Sequence, residues 1–314
     1  MEVKRSQISE TNSENLNYHI PVLLHEVVDN LKIHPGGTYV DCTFGGGGHS
    51  KAILGKLNAE GKLIAFDQDL DAKKNVPNDE RVVFVPYNFR HLKRMLQLHG
   101  IKEVDGILAD LGVSSHQFNK ASRGFSTRFD AEMDMRMDQR QEKTAFDIIS
   151  TYSEQQLHKL FEKFGEVTNA KTLAKTIVEA RKTTSLKTID AFKAALHKVV
   201  RGNPHKYFAQ VFQALRIEVN EELEALKEML QQVPEVLRSG GRVAIITFHS
   251  LEDRLVKTFF KNGTFENKAV NPFENSENPT LLKPVHKKPI VPTQEEQNQN
   301  PRSRSAKLRV AEKL

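Results

Sequence analysis

Residues 39–50 read Tyr-Val-Asp-Cys-Thr-Phe-Gly-Gly-Gly-Gly-His-Ser. An apolar run typical of a buried strand stops at four consecutive glycines, and a helical pattern begins directly after them. Glycine lets the backbone approach a ligand closely and adopt a positive φ, so a junction of strand, glycines and helix is suited to holding a cofactor. We predict that this junction opens a cofactor site.

A second apolar run, residues 62–66, ends at Asp67. A carboxylate about 20 residues past the first glycine is where a Rossmann-type fold holds the hydroxyl groups of a ribose. The two strand ends together therefore predict a cofactor that contains a nucleoside.

Three cofactor classes compete for this junction. A dinucleotide-binding fold favours Gly-x-Gly-x-x-Gly, which Gly45 and Gly47 fit, but Ser50 occupies the place of the third glycine. A phosphate-binding P-loop requires a lysine where this chain has His49, so a triphosphate would lack its charge partner. S-adenosylmethionine carries no phosphate. A loop that binds it therefore needs only to let the ligand approach closely and to expose backbone amides. Asp67 does not separate this cofactor from NAD, because both contain a ribose.

The composition limits the class of protein. Of 314 residues, 38% are hydrophobic and 27% charged, and no segment approaches the roughly 18 apolar residues of a membrane helix. The single cysteine, Cys42, can form no internal disulfide, which favours a reducing cytoplasm. Residues 1–17 are polar without an apolar core, so we expect a disordered lead-in and no signal peptide.

The net charge of +6 has a regional origin. Residues 167–206 contain nine lysines and arginines against two acids, and residues 281–314 contain eight against three. Regional basic charge is typical of a surface that meets a phosphate backbone, although a solvated helical face and a charged tail would give the same counts.

Strands and helices alternate over the first part of the chain. The strand patterns lie at residues 38–44, 62–66, 81–86 and 105–110. Alternation of this kind predicts parallel strands with crossover helices, that is, an α/β fold with a doubly wound sheet. Residues 119–207 carry helical patterns without a convincing strand. We therefore expect an inserted all-helical domain between two parts of the sheet domain, 18–118 and 208–314.

The second part of the sheet domain begins with the pattern of one long helix, residues 208–230. A strand at 240–248 and a helix at 251–261 follow. Residues 262–300 are rich in Asn, Pro, Glu and Lys and have no periodicity, so we expect a mobile loop there. A last strand is expected at 306–311.

Ligand crevices of open α/β sheets lie beyond the carboxyl ends of their strands. Asp110 ends the fourth strand, where a methyl acceptor or the adenine edge of a cofactor would lie, unless it only caps the next helix. Phe89 follows the third strand and could stack on adenine, or it could be a core aromatic. His249 follows the strand at 240–248 and lies at the same rim. Since no matching His/Cys cluster exists in the sequence, we predict no metal site.

Several strings resemble one known family, in the same order along the chain. They are residues 19–24 (His-Ile-Pro-Val-Leu-Leu), 41–50, 110–115 (Asp-Leu-Gly-Val-Ser-Ser), 133–138 (Met-Asp-Met-Arg-Met-Asp), 212–220 (Phe-Gln-Ala-Leu-Arg-Ile-Glu-Val-Asn), 248–254 (Phe-His-Ser-Leu-Glu-Asp-Arg) and 300–305 (Asn-Pro-Arg-Ser-Arg-Ser). From about residue 18 to 312, the chain resembles the bacterial small-subunit ribosomal RNA methyltransferase H family, also called MraW.

The resemblance implies a class I, Rossmann-like methyltransferase that uses S-adenosyl-L-methionine to methylate the N4 amine of a cytidine in the decoding region of 16S rRNA. It also implies RNA recognition by the helical insertion, a cytoplasmic location and, for some members, a homodimer. The cofactor contacts that it implies are Gly47, Gly48, His49, Asp67, Phe89, Asp110 and Gln117.

Two residues carry the catalytic hypothesis. We expect Asp110 to orient the target amine, or the adenine, near the sulfonium, and the rim around His249 to shape the cytosine pocket. No Pro-Cys pair follows the fourth strand, which disfavours a covalent cysteine route, and transfer to an exocyclic amine needs none. Two alternatives stay open, an NAD(P)-dependent oxidoreductase and a non-catalytic RNA-binding module on the same fold.

Overall fold

The structure is a computed structural model that describes residues 21–266 and 281–314. The predicted lead-in at 1–17, and residues 267–280 of the predicted loop, lie outside the described residues. Within the described ranges, every helix is too short or too polar to cross a lipid bilayer.

Seven strands form one sheet. They are β1 (Thr38–Asp41), β2 (Lys62–Phe66), β3 (Val82–Val85), β4 (Val104–Asp110), β5 (Leu237–Thr247), β6 (Leu282–Pro284) and β7 (Lys307–Lys313). Their order is β3-β2-β1-β4-β5-β7-β6, with β1 to β5 parallel and β7 antiparallel to both of its neighbours. The dinucleotide-binding order ends in a sixth parallel strand beside the fifth, whereas here a reversed strand lies between β5 and β6. This topology confirms the predicted α/β fold with a doubly wound sheet.

The described residues form twelve α-helices. They are α1 (Leu24–Leu31), α2 (Gly48–Leu54), α3 (Leu92–Leu98), α4 (Ser115–Asn119), α5 (Ala145–Thr151), α6 (Glu154–Gly165), α7 (Ala170–Ala180), α8 (Ile189–Leu196), α9 (Pro204–Asn220), α10 (Glu222–Val236), α11 (Ser250–Asn262) and α12 (Gln294–Gln299). Short 3-10 helices connect several of them.

Helices cover both faces of the sheet because alternate strand residues point to opposite sides. Val40 and Ile64 pack in one hydrophobic cluster with side chains of α3, α10 and α11. Their neighbours Tyr39 and Leu63 pack in a second cluster with α1 and α2. The strands are therefore covered by helices on both faces of the sheet. The carboxyl ends of β1, β2 and β4 lie at the end of the sheet that the helices leave open.

The helices α5 to α9 share a separate hydrophobic cluster. This cluster extends past the predicted boundary at residue 207 and includes α9 residues as far as Val219. The single long helix predicted at 208–230 is wrong, because α9 ends at Asn220 and α10 begins at Glu222. Between them Glu221 adopts a left-handed conformation with φ 49°, which turns the chain without the glycine or proline that usually marks such a break.

Residues 262–300 were predicted to lack regular structure, and this prediction is wrong for residues 281–300. Residues 281–300 contain β6 and α12. β6 is only three residues long and forms by pairing with β7, where Leu282 lies opposite Lys313. Glu296 of α12 accepts a hydrogen bond from the backbone amide of Leu23 at 2.8 Å, next to the start of α1. Both elements depend on partners distant in the sequence, which local periodicity does not detect.

Candidate active site

A cavity of about 530 Å³ lies beyond the carboxyl ends of β1, β2 and β4, a volume typical of small-molecule sites. Six of the predicted site residues line it: Gly48, His49, Asp67, Phe89, Asp110 and Gln117. Gly47 and His249 lie outside its wall, and two residues that were not predicted to be contacts, Gly45 and Gly46, line it instead.

Three of the four glycines differ in the space around them. Gly47 adopts φ 75°, and a Cβ there would lie 2.9 Å from the ring of Phe44, so its part is conformational. A Cβ on Gly48 would lie 2.3 Å from Cγ of Pro21, so this position is closed by packing. A Cβ on Gly46 would meet no atom within 4 Å. The loop therefore presents bare backbone to the cavity at Gly46, where a ligand can approach most closely.

Asp67 lies where β2 ends and faces the glycine loop. Its Oδ2 accepts a hydrogen bond from the amide of Gly45 and its Oδ1 one from the amide of Asp69, both at 2.8 Å. Each carboxylate oxygen keeps a second lone pair, which suits the two hydroxyl groups of a ribose. Burial raises the pKa of this carboxyl to about 7, although the two amide hydrogen bonds oppose the shift.

Phe89 begins a short 3-10 helix after β3 and borders the cavity. The same ring packs partly against the hydrophobic cluster beneath it, so it is both a core aromatic and part of the cavity wall. Beside it, Asn88 donates to Oε1 of Gln68 at 2.8 Å, and Gln68 also borders the cavity. This wall offers an aromatic face flanked by amides, which suits an adenine ring.

Gln117 is buried, and its amide is held by the protein. Its Oε1 accepts from the amide of Ser114 at 3.0 Å in a helix-capping arrangement, and its Nε2 donates to Asp69 at 2.9 Å. Arg123 donates to the same Asp69 oxygen at 2.7 Å and to the carbonyl of Met137. Gln117 thus belongs to a network that positions the helical region against the end of β2.

Asp110 is the last residue of β4. Its Oδ1 is buried and has no hydrogen-bond partner among the residues that the structure describes. Its Oδ2 lies 3.6 Å from Nδ1 of His49, whose Nε2 is held 3.0 Å from the carbonyl oxygen of Val22. Buried acceptors are nearly always paired, and Asp110 lines the cavity, so its carboxyl group keeps an unused acceptor that suits a ligand donor.

Burial raises the pKa of the Asp110 carboxyl to about 6, with His49 opposing the shift. The carboxylates of Asp41 and Glu252 lie near enough to add to it. Above pH 6 the orphaned oxygen therefore belongs to an anion, which is a strong acceptor for an N–H group.

His249 caps the start of α11 beside the cavity. Its Nδ1 accepts from the amide of Glu252 at 3.4 Å, and its Nε2 lies 3.2 Å from Glu252 Oε1 without the alignment of a hydrogen bond. Glu252, not His249, reaches the cavity wall. Sequence reasoning placed the polar residues of 249–254 at this rim but did not choose Glu252 as a site residue, although a helix cap followed three residues later by a glutamate is the spacing of a capping box.

A cluster of possible metal ligands surrounds this cap. Donor atoms of Glu222, His249 and Glu252 all lie within 4.8 Å of one another. However, Arg216 engages both carboxylate oxygens of Glu222 at 2.8 Å each. Burial raises the pKa of the Glu252 carboxyl, but His249, the positive charge of Arg216 and the amide of Phe248 together lower it. Arg216 supplies the cation of this cluster, which is best described as an ion-pair network.

Comparison with known proteins identifies the family to which the chain belongs. The sequence model of the MraW methylase family matches residues 16–314. The chain belongs to this family. It is 54% identical over 300 residues to the ribosomal RNA small subunit methyltransferase H of Flavobacterium johnsoniae, covering 95% of this chain and 99% of that protein. It is 53% identical over 302 residues to the protein of the same name from Bacteroides thetaiotaomicron, covering 96% and 99%.

Solved structures give a weaker similarity. An rRNA methylase from Streptococcus thermophilus aligns with 94% of this MraW-family chain and 98% of its own, with 11% identity and a TM-score of 0.41. The family assignment rests on the sequence relatives, and the fold class rests on the strand order.

Proposed function

We propose that this MraW-family chain transfers a methyl group from S-adenosyl-L-methionine to the N4 amine of a cytidine in the decoding region of 16S rRNA. Family membership and relatives named as ribosomal RNA small subunit methyltransferases support the reaction class and the RNA. The observation that carries the chemistry is the orphaned, buried Oδ1 of Asp110 at the carboxyl end of β4.

The cofactor fits the cavity beside the glycine loop. The backbone at Gly46 is open to a ligand, Asp67 has two lone pairs free for ribose hydroxyls, and Phe89 offers a ring face for adenine. Bound there, S-adenosylmethionine supplies an electrophilic methyl group on a sulfonium. A fold that binds a dinucleotide is not favoured, because a reversed strand separates β5 from β6 and Ser50 occupies the third glycine position.

Asp110 acts on the acceptor. The lone pair of a cytosine amine is delocalised into its ring, so the amine is a weak nucleophile. A carboxylate that accepts one N–H increases the electron density on nitrogen as the nitrogen–methyl bond replaces the methyl–sulfur bond. It also fixes the direction of attack and receives the proton that the methylated amine loses. Glu252, on the same wall, adds negative charge that stabilises the positive charge developing on the amine.

The experiment that tests this function uses small-subunit rRNA from cells that lack this protein. The purified chain and labelled S-adenosylmethionine are expected to place one methyl group per RNA, and mass spectrometry of the digested RNA should identify N4-methylcytidine. Methylation on a ring carbon or on another base would contradict the amine chemistry. Binding of this RNA without transfer would favour the non-catalytic module. The cytoplasmic location and the homodimer stay predictions.

A further inference from the structure

Two arginines from distant parts of the sequence meet beside the cavity. Arg302 lies in the short 3-10 helix Pro301–Ser305 that precedes β7, and it lines the cavity. Arg128 lies in a turn of the chain between α4 and α5. Both guanidinium groups contact the ring of Phe118, at 5.0 Å for Arg128 and 5.1 Å for Arg302.

The two guanidinium groups share one neutral acceptor. Oδ1 of Asn119 accepts from Arg302 at 2.8 Å and, more weakly, from Arg128 at 3.4 Å. In the described part of the chain, neither arginine forms an ion pair with a carboxylate. Other cations of this region differ, because Lys120 pairs with Asp71 and Arg123 with Asp69.

Two like charges held together without an anion repel each other. Partial burial lowers the pKa of the Arg302 guanidinium, although the residue stays exposed, and the charge of Arg128 lowers it further. The arrangement is stabilised by Phe118 through cation–π contacts and by the Asn119 amide, but the positive charge itself is not neutralised. Such a pair is suited to an anion that arrives with a ligand.

We propose that Arg128 and Arg302 form a clamp that binds a backbone phosphate of the RNA, adjacent to the nucleotide whose base enters the cavity. This proposal rests on the proposed function. An enzyme that reacts with a base must bring that base out of its stack, which leaves the flanking phosphates at the mouth of the pocket. The planar fork of arginine matches a phosphate and forms two parallel hydrogen bonds with it.

The clamp is tested by equilibrium binding of small-subunit rRNA from cells that lack this protein, with S-adenosylhomocysteine present. Arg128→Ala and Arg302→Ala are each expected to weaken RNA binding about tenfold, as for the loss of a charged hydrogen bond. Each should also lower the slope of log affinity against log salt by about one, because one phosphate contact is lost. The affinity for S-adenosylhomocysteine should stay unchanged, since in the described residues no hydrogen bond or ion pair joins either arginine side chain to the glycine loop or to Asp67.

The Asn119→Asp variant tests the positive charge of the clamp without changing the positions of the two arginines. This nearly isosteric change keeps both guanidinium groups in place and gives them a carboxylate, so the melting temperature should be kept or raised while RNA binding weakens. Arg304→Ala is the matched control, because Arg304 is an exposed cation of the same short helix for which no contact with the clamp is present. Its RNA affinity should stay within about twofold of the wild type.

Unchanged RNA affinity and salt slope in both alanine variants would overturn the clamp, and so would wild-type affinity in Asn119→Asp. These measurements do not involve methyl transfer. If the wild-type chain binds the RNA through these residues but methylates none of it, the proposed function fails and the phosphate site stands. If it methylates the RNA and the variants bind normally, the clamp fails and the function stands.

Discussion

The cofactor side and the acceptor side of the cavity differ in how their polar groups are satisfied. On the cofactor side, defined by residues 45–48, Asp67 and Phe89, the carboxylate accepts two backbone amides and the loop backbone is fixed by packing. On the acceptor side, Asp110 keeps an orphaned oxygen and Arg302 has only a neutral partner. One side is thus complete before its ligand binds, whereas the other leaves charges that a ligand must neutralise.

The largest effect is expected from Asp110→Asn, which would break the acceptor side alone. The amide has nearly the same shape and keeps an accepting oxygen but carries no negative charge, so the target amine loses its anionic acceptor. We expect methyl transfer to fall by about 10²–10⁴-fold, the usual contribution of a positioned proton acceptor. Isothermal titration should give an unchanged affinity for S-adenosylhomocysteine.

A parallel loss of cofactor affinity in Asp110→Asn would instead place Asp110 at the adenine, the other role open to it. The two sides of the cavity would then share this residue. Since burial raises the pKa of Asp110 to about 6, transfer by the wild-type chain should also rise with pH through about 6, as the acceptor ionises.

Two glycine substitutions compare packing with ligand space on the cofactor side. Gly48→Ala places a Cβ 2.3 Å from the Pro21 ring, so we expect the free energy of unfolding to fall by about 1–3 kcal/mol, as in other overpacked sites. Gly46→Ala meets no protein atom within 4 Å, so it should keep its stability and lose affinity for S-adenosylhomocysteine. Chemical denaturation and calorimetry would measure both. Full cofactor affinity in Gly46→Ala would show that the ligand does not approach this part of the loop.

Asp67 should make the binding of the cofactor depend on pH. Burial raises the pKa of its carboxyl to about 7, and only the ionised form accepts two hydroxyl groups. Affinity for S-adenosylhomocysteine should therefore decrease as the pH falls through 7, by about tenfold at one unit below the pKa. Asp67→Asn should bind weakly at every pH. A pH-dependent affinity in that variant would assign the titration to another group.

The raised pKa of Asp67 has the opposite effect on the stability of the unliganded protein, which should fall as the pH rises. Between pH 4 and 7 the folded carboxyl keeps its proton while an unfolded aspartate, with a pKa near 3.8, has lost it. The folded state then binds more protons, so its stability falls as the pH rises through this window. Thermal unfolding of Asp67→Asn should show less of this decline.

The cofactor side could be predicted from the sequence because each of its residues follows the end of a strand. Four glycines after β1, Asp67 after β2 and Phe89 after β3 lie within one local pattern of alternating elements. The glycine with open space at its Cβ position could not be predicted, since only packing against Phe44 and Pro21 distinguishes Gly47 and Gly48 from Gly46.

The acceptor side could not be predicted to the same extent, because it is assembled from distant segments. Asp110 was found from the strand rule, but Arg302 reaches the cavity only because β7 returns antiparallel beside β5. Glu252 reaches it through a helix cap, so His249 was chosen in its place. The break between α9 and α10 at Glu221 was also missed, because no glycine or proline marks it in the sequence. Tertiary contacts override local helix propensity at this position.

The smallest effect is expected from Phe89→Leu, which would show how much of the cofactor side depends on stacking. Leucine keeps most of the packing against the hydrophobic core but removes the aromatic face, so the melting temperature should change little. The affinity for S-adenosylhomocysteine should fall about fivefold, within the range of one aromatic contact. The same factor should appear for adenosine alone, because the ring is expected to contact the base and not the amino-acid portion. Equal binding of adenosine by the variant and the wild type would move adenine to another wall of the cavity, and the hydrogen-bonded pair Asn88 and Gln68 would be the next to test.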